Sequence, residues 1–273
     1  MKLSIVSGLN ESTLQTEKVE EKFQDICTLL DSLGYDAVEL GLLEPEKVPV
    51  DSINEIRSSY GLDISALGTG GTFIRFGYSL GHHEQKMRKK ALNRIRKFCE
   101  FGAQTDSNVV IGLIRGRYSY ESDPAIERKN IKNSLRKCSE IAEEFGVTLL
   151  FEPINQFEID SFNTFEDSLA LINEINNNNI KLLVDTYHTN LEENPETVWD
   201  YLNENSDSVG HIHLADTNRR APGTGCFNFK RFLKIFKNAQ FEGYISVETI
   251  MKPSFKDVAQ QTVEHLKKIG IRE

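Results

Sequence analysis

The chain is short of the features that mark secreted, membrane-spanning and nucleic-acid-binding proteins. Its cysteines, Cys27, Cys99, Cys138 and Cys226, are widely spaced. They form no CxxC pair and no Cys/His spacing of a zinc site, so neither a disulfide framework nor a zinc ribbon is expected and a reducing cytoplasm is the simplest location. No segment approaches the length of about 18 apolar residues needed to cross a membrane. The opening MKLSIVSGLN carries one Lys and a short apolar run ended by Gly8, too short for a signal-peptide core, and reads as a first strand. Positive charge is scarce: 32 Lys and Arg against 41 Asp and Glu leave a net charge of -9, which argues against a nucleic-acid track. The glycines of GTGG and PGTG fit neither the GxGxxG nor the Walker pattern, so no nucleotide cradle is expected. No Pro- or Ser-rich linker divides the 273 residues, and residues 1–273 are read as one domain.

What is present is a rhythm. Short β-rich runs near residues 3–7, 36–40, 62–67, 108–113, 147–152, 180–185, 209–214 and 244–248 alternate with helical patterns. That alternation belongs to an α/β chain with a parallel sheet, and eight repeats predict a (β/α)8 TIM barrel. Met87, Ala91, Leu92, Ile95, Phe98 and Cys99 recur at helical spacing and mark the stripe that packs on the barrel. Gly34, Gly61, Gly102 and Gly146 each fall between a helical pattern and a strand, where a left-handed helix terminus favours glycine. Asp123-Pro124, Asn194-Pro195 and Ser254 with Asp257 read as helix starts. The run Asn176 to Asn179 is a polar connector, and Gly68 to His83 is expected to be a loop over the barrel mouth.

Four ligand-type residues end successive apolar runs: Glu152 in FEP, Asp185 in LLVD, His213 in HIHL and Glu248 in SVE. Successive βα units would bring them together at the carboxyl ends of the fifth to eighth strands. Three carboxylates aimed at one point need a cation to hold them ionised, and this mostly oxygen set suits a divalent metal: Mn²⁺, Mg²⁺, Co²⁺ or Zn²⁺. His211 alternates with Ile212 and shares the inward face with His213, one layer deeper, as an interior histidine. His188, beyond Asp185, is placed to donate to a substrate oxygen. Glu158 in EPINQFE and Arg219 in DTNRRAPGTG are candidate parts of a polar substrate clamp. Arg115 and Arg117 in GLIRGR read first as surface charge, with an acidic group on the substrate as the alternative partner.

The motifs EPINQFE, LLVDTYHTNLEE, HIHLADTNRRAPGTG and SVE, in this order across most of the chain, resemble those of the xylose-isomerase-like TIM barrels. Within that group they are similar to the ketose 3-epimerases acting on D-tagatose and D-psicose. GTGGTFIRFGYSL and VVIGLIRGR resemble most the branch described as 5-keto-L-gluconate epimerase. The resemblance implies Glu152, Asp185, His213 and Glu248 as ligands of a divalent metal, with Mn²⁺ the leading choice. It also implies Glu152 and Glu248 as the catalytic acid/base pair, and Glu158, His188 and Arg219 as substrate contacts. One departure bears on local support or on sugar preference: where the group carries Asn-Arg-Phe-Glu, this chain has Asn155, Gln156, Phe157 and Glu158. The implied function is epimerisation of a ketose or keto-sugar acid through an enediolate, with proton transfer between two glutamates. The same chemistry leaves an aldose–ketose isomerase as an alternative; an abasic-site endonuclease is disfavoured by the acidic balance and only 6 histidines, and a non-catalytic sugar-binding protein is the remaining class. The expected partner is a small keto-sugar, without nucleic acid or membrane, and dimers or tetramers are common in the group.

Overall fold

The computed structural model describes residues 1–9, 11 and 13–272. Strand and helix alternate along the chain: β1 (Lys2–Gly8), α1 (Thr16–Ser32), β2 (Ala37–Gly41), α2 (Val50–Ser59), β3 (Asp63–Gly68), α3 (Gly70–Phe76), α4 (Gln85–Thr105), β4 (Asn108–Ile111), α5 (Pro124–Phe145), β5 (Leu149–Phe151), α6 (Phe165–Ile175), β6 (Ile180–Asp185), α7 (Thr186–Glu192), α8 (Pro195–Glu204), β7 (Val209–Leu214), α9 (Phe229–Asn238), β8 (Tyr244–Val247) and α10 (Phe255–Lys268). The strands close into a parallel barrel in sequence order, β1 pairing with β8 from Lys2 opposite Tyr244 to Ile5 opposite Val247. All eight expected strands are found, although β4 and β5 stop short of the expected limits. No helix among the described residues is long and apolar enough to cross a membrane.

Alternation along each strand divides the core in two. One set of apolar side chains, including Leu3, Ile5, Val38, Leu40, Val109, Ile111, Leu182 and Val184, joins the helix stripes in a single large cluster. The expected stripe of α4 is part of it through Ala91, Ile95, Phe98 and Cys99. A separate small cluster of Ala66, Val110, Leu150 and Leu183 comes from β3 to β6. Polar groups from β1, β2, β3 and β7 fill the rest of the barrel interior. The Ser4 and Ser65 hydroxyls meet at 2.7 Å, and Glu39 of β2 meets His211 and His213 of β7 across the barrel. The interior is therefore apolar on one flank and hydrogen-bonded on the other.

Helix boundaries follow local chemistry with one exception. Asp123 caps α5 by accepting from Ala125 N, with Pro124 in the first turn, and Ser254 caps α10 by accepting from Asp257 N. The helix expected at Asn194-Pro195 begins at Pro195. Asn176 closes α6 in a left-handed conformation ahead of β6. Gly34, Gly61 and Gly146 take positive φ after α1, α2 and α5, but Gly102 lies inside α4. The left-handed terminus of α4 is taken instead by Asp106, φ 53°. Gly102 is required for another reason: a Cβ there would stand 2.7 Å from Ser107 O and 3.5 Å from Val147 Cγ2, so only glycine lets α4 close onto the β4 and β5 entrances. The stretch from Gly68 to His83, expected as a loop, contains the short helix α3, capped by Gly77 at φ 66°.

Substituting Gly102→Ala should cost about 1–3 kcal/mol through backbone overpacking, despite alanine's better helix propensity. Gly146→Ala should cost about 1–2 kcal/mol through the left-handed conformation alone. Urea unfolding monitored by circular dichroism measures both, and a stabilised Gly102→Ala variant would contradict the close approach.

Candidate metal centre

The four strand-end residues meet. Glu152 follows β5 directly, its amide donating to Ile111 O of β4 (3.2 Å), and Glu248 follows β8 in the same way, donating to Leu214 O of β7 (3.2 Å). Asp185 ends β6 and caps α7: its Oδ1 accepts from Tyr187 N (2.6 Å) and His188 N (2.9 Å), which fixes the carboxylate plane. Around His213 Nδ1 stand Glu248 Oε2 at 2.8 Å, Glu152 Oε1 at 3.6 Å and Asp185 Oδ2 at 3.8 Å. One ligand atom from each of the four residues lies within 4.8 Å of every other. Glu152, Asp185 and His213 are buried, whereas the Glu248 side chain is 37% exposed at the rim.

This set fits a divalent cation. Glu152 Oε1 and His213 Nδ1 are buried, and neither makes a well-directed hydrogen bond among the described residues, although Glu248 Oε2 comes within ion-pair distance of Nδ1. Buried polar atoms are rarely left so, and two aimed at a shared point with two further carboxylates make a donor set for a hard or borderline ion. The electrostatics agree. Burial pushes the Asp185 carboxyl up to about 6, Glu152 and Glu248 adding to the rise while His188 and His213 oppose it. Burial lowers the basicity of His213, but Glu39 and Glu248 outweigh it and hold the imidazole well above its ordinary value. A proton thus supplies the positive charge that the carboxylates demand.

The expected substrate contacts line one side of this cluster. The Arg219 guanidinium pairs with Glu158 Oε1 and lies 4.9 Å over the Tyr187 ring. Asn155, which the sequence drew attention to only as part of a motif, is buried and joins the group. Its Oδ1 accepts from Phe157 N (3.1 Å), so its amide nitrogen faces Glu158 Oε1 (3.2 Å) and His188 Nδ1 (2.6 Å). That nitrogen can only donate, so His188 carries its proton on Nε2, which faces Glu152 Oε1 at 3.8 Å. Arg219 sits at φ 58°, an uncommon conformation for a non-glycine residue. It is held there because its amide donates to Asp216 O and its carbonyl accepts from Ile250 N, both at 2.8 Å. The buried Asp216 carboxylate clasps the same loop by accepting from Thr217 N, Gly223 N and Phe227 N.

Arg115 departs from the reading as surface charge or substrate contact: it is fully buried, its guanidinium donating to the carbonyls of Glu152 (2.6 Å), Gly112 (3.2 Å), Ser161 (3.3 Å) and Phe162 (3.4 Å), and lying 4.9 Å over the Phe151 ring. It supports the backbone that carries Glu152. Arg117 donates to Phe157 O and stands 3.9 Å from Asp160, tying together the loops after β4 and β5. His211 is an interior histidine as expected, fully buried with Nε2 3.0 Å from Glu39 Oε2. Glu39 was missed. It is 1% exposed, and burial works against its ionisation, yet His213 and His211 hold its carboxyl far below the usual range. The available signal was a lone carboxylate in the middle of the apolar strand AVELG.

A family model described as Xylose isomerase-like TIM barrel matches residues 27–269. The 3-dehydro-D-guloside 4-epimerase of Escherichia coli (strain K12) is 26% identical over 251 residues, covering 88% of this chain and 90% of that protein. The D-psicose 3-epimerase of Enterocloster bolteae is 25% identical over 258 residues, covering 89% of this chain and 83% of its own length. Among solved structures, the D-allulose 3-epimerase from Methylomonas sp. superposes with a TM-score of 0.83 at 20% identity, with 98% of each chain covered; at that identity the likeness concerns the fold.

Cation binding requires Asp185 ionised and His213 Nδ1 free of its proton. Affinity for Mn²⁺ should therefore fall, by about tenfold or more, as pH is lowered through the Asp185 value of about 6, with protons released on binding. Calorimetry between neutral and mildly acid pH, in buffers of differing ionisation enthalpy, measures both. For the cation-free protein the sign reverses: Asp185 is raised above its ordinary 3.8, so its stabilising contribution is present at low pH and lost as pH rises through about 6.

Proposed function

Since the chain belongs to the xylose isomerase-like TIM barrel family, we propose that it is a metal-dependent epimerase of a ketose or keto-sugar acid. It inverts a carbon beside the carbonyl, C3 of a ketose in the first instance, by removing a proton from one face and returning one to the other. The observation that carries this reading is the pair of carboxylates that converge on His213 Nδ1, Glu152 Oε1 at 3.6 Å and Glu248 Oε2 at 2.8 Å. They come from the ends of β5 and β8, three strands apart in the barrel order. The names of the relatives, a D-psicose 3-epimerase and a 3-dehydro-D-guloside 4-epimerase, support inversion beside a ketone and differ in the carbon inverted.

Glu152, Asp185, His213 and Glu248 would hold a divalent cation, Mn²⁺ being our choice, which would supply the positive charge that makes the C–H beside the carbonyl more acidic. The remaining work falls to the chain. Glu152 and Glu248 divide the proton transfer, one carboxylate oxygen taking the proton from carbon and the other delivering one to the opposite face of the planar intermediate; the handedness of the substrate sets their order. His188 Nε2–H, fixed by Asn155, donates to a substrate oxygen. Glu158 and Arg219 compensate each other's charge, which suits them to bind hydroxyls in a fixed orientation. Tyr187 carries the guanidinium on its face and keeps it from swinging out. Residues 1–273 act in this reading as one domain in the cytoplasm, an environment in keeping with four unpaired cysteines.

Incubating the Mn²⁺-loaded protein with a panel of ketoses and keto-sugar acids in deuterated water should yield an epimeric ketose carrying one deuterium at the inverted carbon, read by NMR. An aldose product would establish an isomerase instead, and absence of exchange with every sugar would refute the reading. Glu152→Gln and Glu248→Gln should each keep the far-ultraviolet circular dichroism of the native barrel and lower kcat by about 10²–10⁴. Near-normal turnover in either would sink the two-carboxylate scheme.

A further inference from the structure

Behind the metal-facing side of His213 lies a carboxylate to which neither the family motifs nor the strand-end pattern gives a role. Glu39 occupies the middle of β2 (Ala37–Gly41), and its side chain reaches across the barrel interior to β7. Its Oε1 and Oε2 are both 3.1 Å from His213 Nε2, and Oε2 is 3.0 Å from His211 Nε2. The two imidazoles stand edge to face, ring centroids 5.3 Å apart and planes at 83°. Among the described residues no Lys or Arg pairs with Glu39; its oxygens are met by the two histidines.

We propose that Glu39 is a positioning residue that sets His213 as a ligand through Nδ1, an inference that rests on the metal reading of the cluster. The reason is the two-sidedness of imidazole. In the neutral ring one nitrogen carries the proton and the other a lone pair, and the partner of the first decides which is which. A carboxylate against Nε2 keeps the proton there, and the lone pair then falls on Nδ1, the atom surrounded by Glu152, Asp185 and Glu248. Glu39 itself lies against Nε2, the ring nitrogen opposite the cluster; its charge also reaches Glu248 through space, but its hydrogen bonds go to the histidines, and it is through His213 that it orients a ligand. His211 completes the arrangement from below. By donating to Oε2 it restricts rotation of the Glu39 carboxylate, and it gives a deeply buried anion a second donor without adding a fixed charge. The alternative, in which Glu39, His211 and His213 hold a cation of their own, fits less well. The oxygen–nitrogen separations of 3.0 to 3.1 Å are those of direct hydrogen bonds, and that cation would compete for the ring that the strand-end cluster needs.

Equilibrium dialysis and calorimetry with Mn²⁺ and Co²⁺ test this on the full chain, comparing wild type with Glu39→Gln. Glutamine keeps the size of the side chain but can accept from only one imidazole and presents an N–H to the other. The expected result is one ion per wild-type chain, Mn²⁺ affinity weakened about 10- to 100-fold in Glu39→Gln, and an altered visible absorption of the Co²⁺ form. Excess metal should bring the occupancy of the variant back. Equal affinities and equal Co²⁺ spectra would overturn the role of Glu39, as would two ions bound per wild-type chain. A wild-type protein that binds no divalent cation would instead overturn the metal reading beneath it. Should Glu39→Gln fail to fold, Glu39→Asp, which keeps the charge but withdraws it by one methylene, should still lose affinity several-fold; wild-type affinity there would likewise overturn the assignment.

Discussion

The constraint on which this molecule depends is the mutual repulsion of three carboxylates gathered at one end of a closed barrel. Their nearest atoms lie within 4.8 Å of one another. Two unit charges about 4 Å apart repel by about 4 kcal/mol at the effective dielectric of a partly buried site. Three such pairs amount to about 12 kcal/mol, on the scale of the whole net stability of a domain, roughly 5–15 kcal/mol. The cluster is therefore tenable only with compensating positive charge. In the cation-free state protons meet that demand: burial raises Asp185, with Glu152 and Glu248 adding to it, and Glu39 and Glu248 hold the His213 imidazole above its ordinary value. The carboxylates also arrive on different strands, each anchored by main-chain hydrogen bonds, so they cannot relieve the repulsion by drifting apart.

The supporting structure follows from that constraint. Asp185 spends one oxygen on the start of α7 and turns the other inward. Arg115 gathers four carbonyls around the backbone that carries Glu152, which explains why a full positive charge can be buried there without a carboxylate in contact. Asp216 ties the loop that places Arg219. Beneath the site, Glu39 and His211 occupy the polar flank of the barrel interior, while Val110, Leu150 and Leu183 fill the other with ordinary apolar packing. Rigidity of the reacting groups thus comes from polar contacts on one side and close packing on the other.

Much of this was legible in the chain because parallel strands announce themselves. Buried on both faces, they read as apolar runs, and a ligand at the carboxyl end of such a run stands out, as with Glu152, Asp185, His213 and Glu248. What escaped was whatever depends on contacts between distant segments. Glu39 is a single acid in AVELG, and only barrel closure brings it to β7. Arg115 sits beside a glycine at a strand end, where sequence alone favours an exposed charge; its burial is decided by the Phe151 ring and the loop after β5. Gly102 has the spacing of a helix terminus, but α4 runs on to Thr105 and the glycine serves the approach of Ser107. Asn155 reads as a polar loop residue until it is seen to join Glu158 to His188.

The residues assigned to metal, proton transfer and sugar all belong to the second half of the chain, on β5 to β8 and the loops that follow them, while β1 to β4 contribute only the support of Glu39 and Arg115. In the proposed reading, the described parts of the loops after the first four strands border the same opening and hold none of the four cluster residues, so substitutions there can alter ligand preference while leaving the cluster in place.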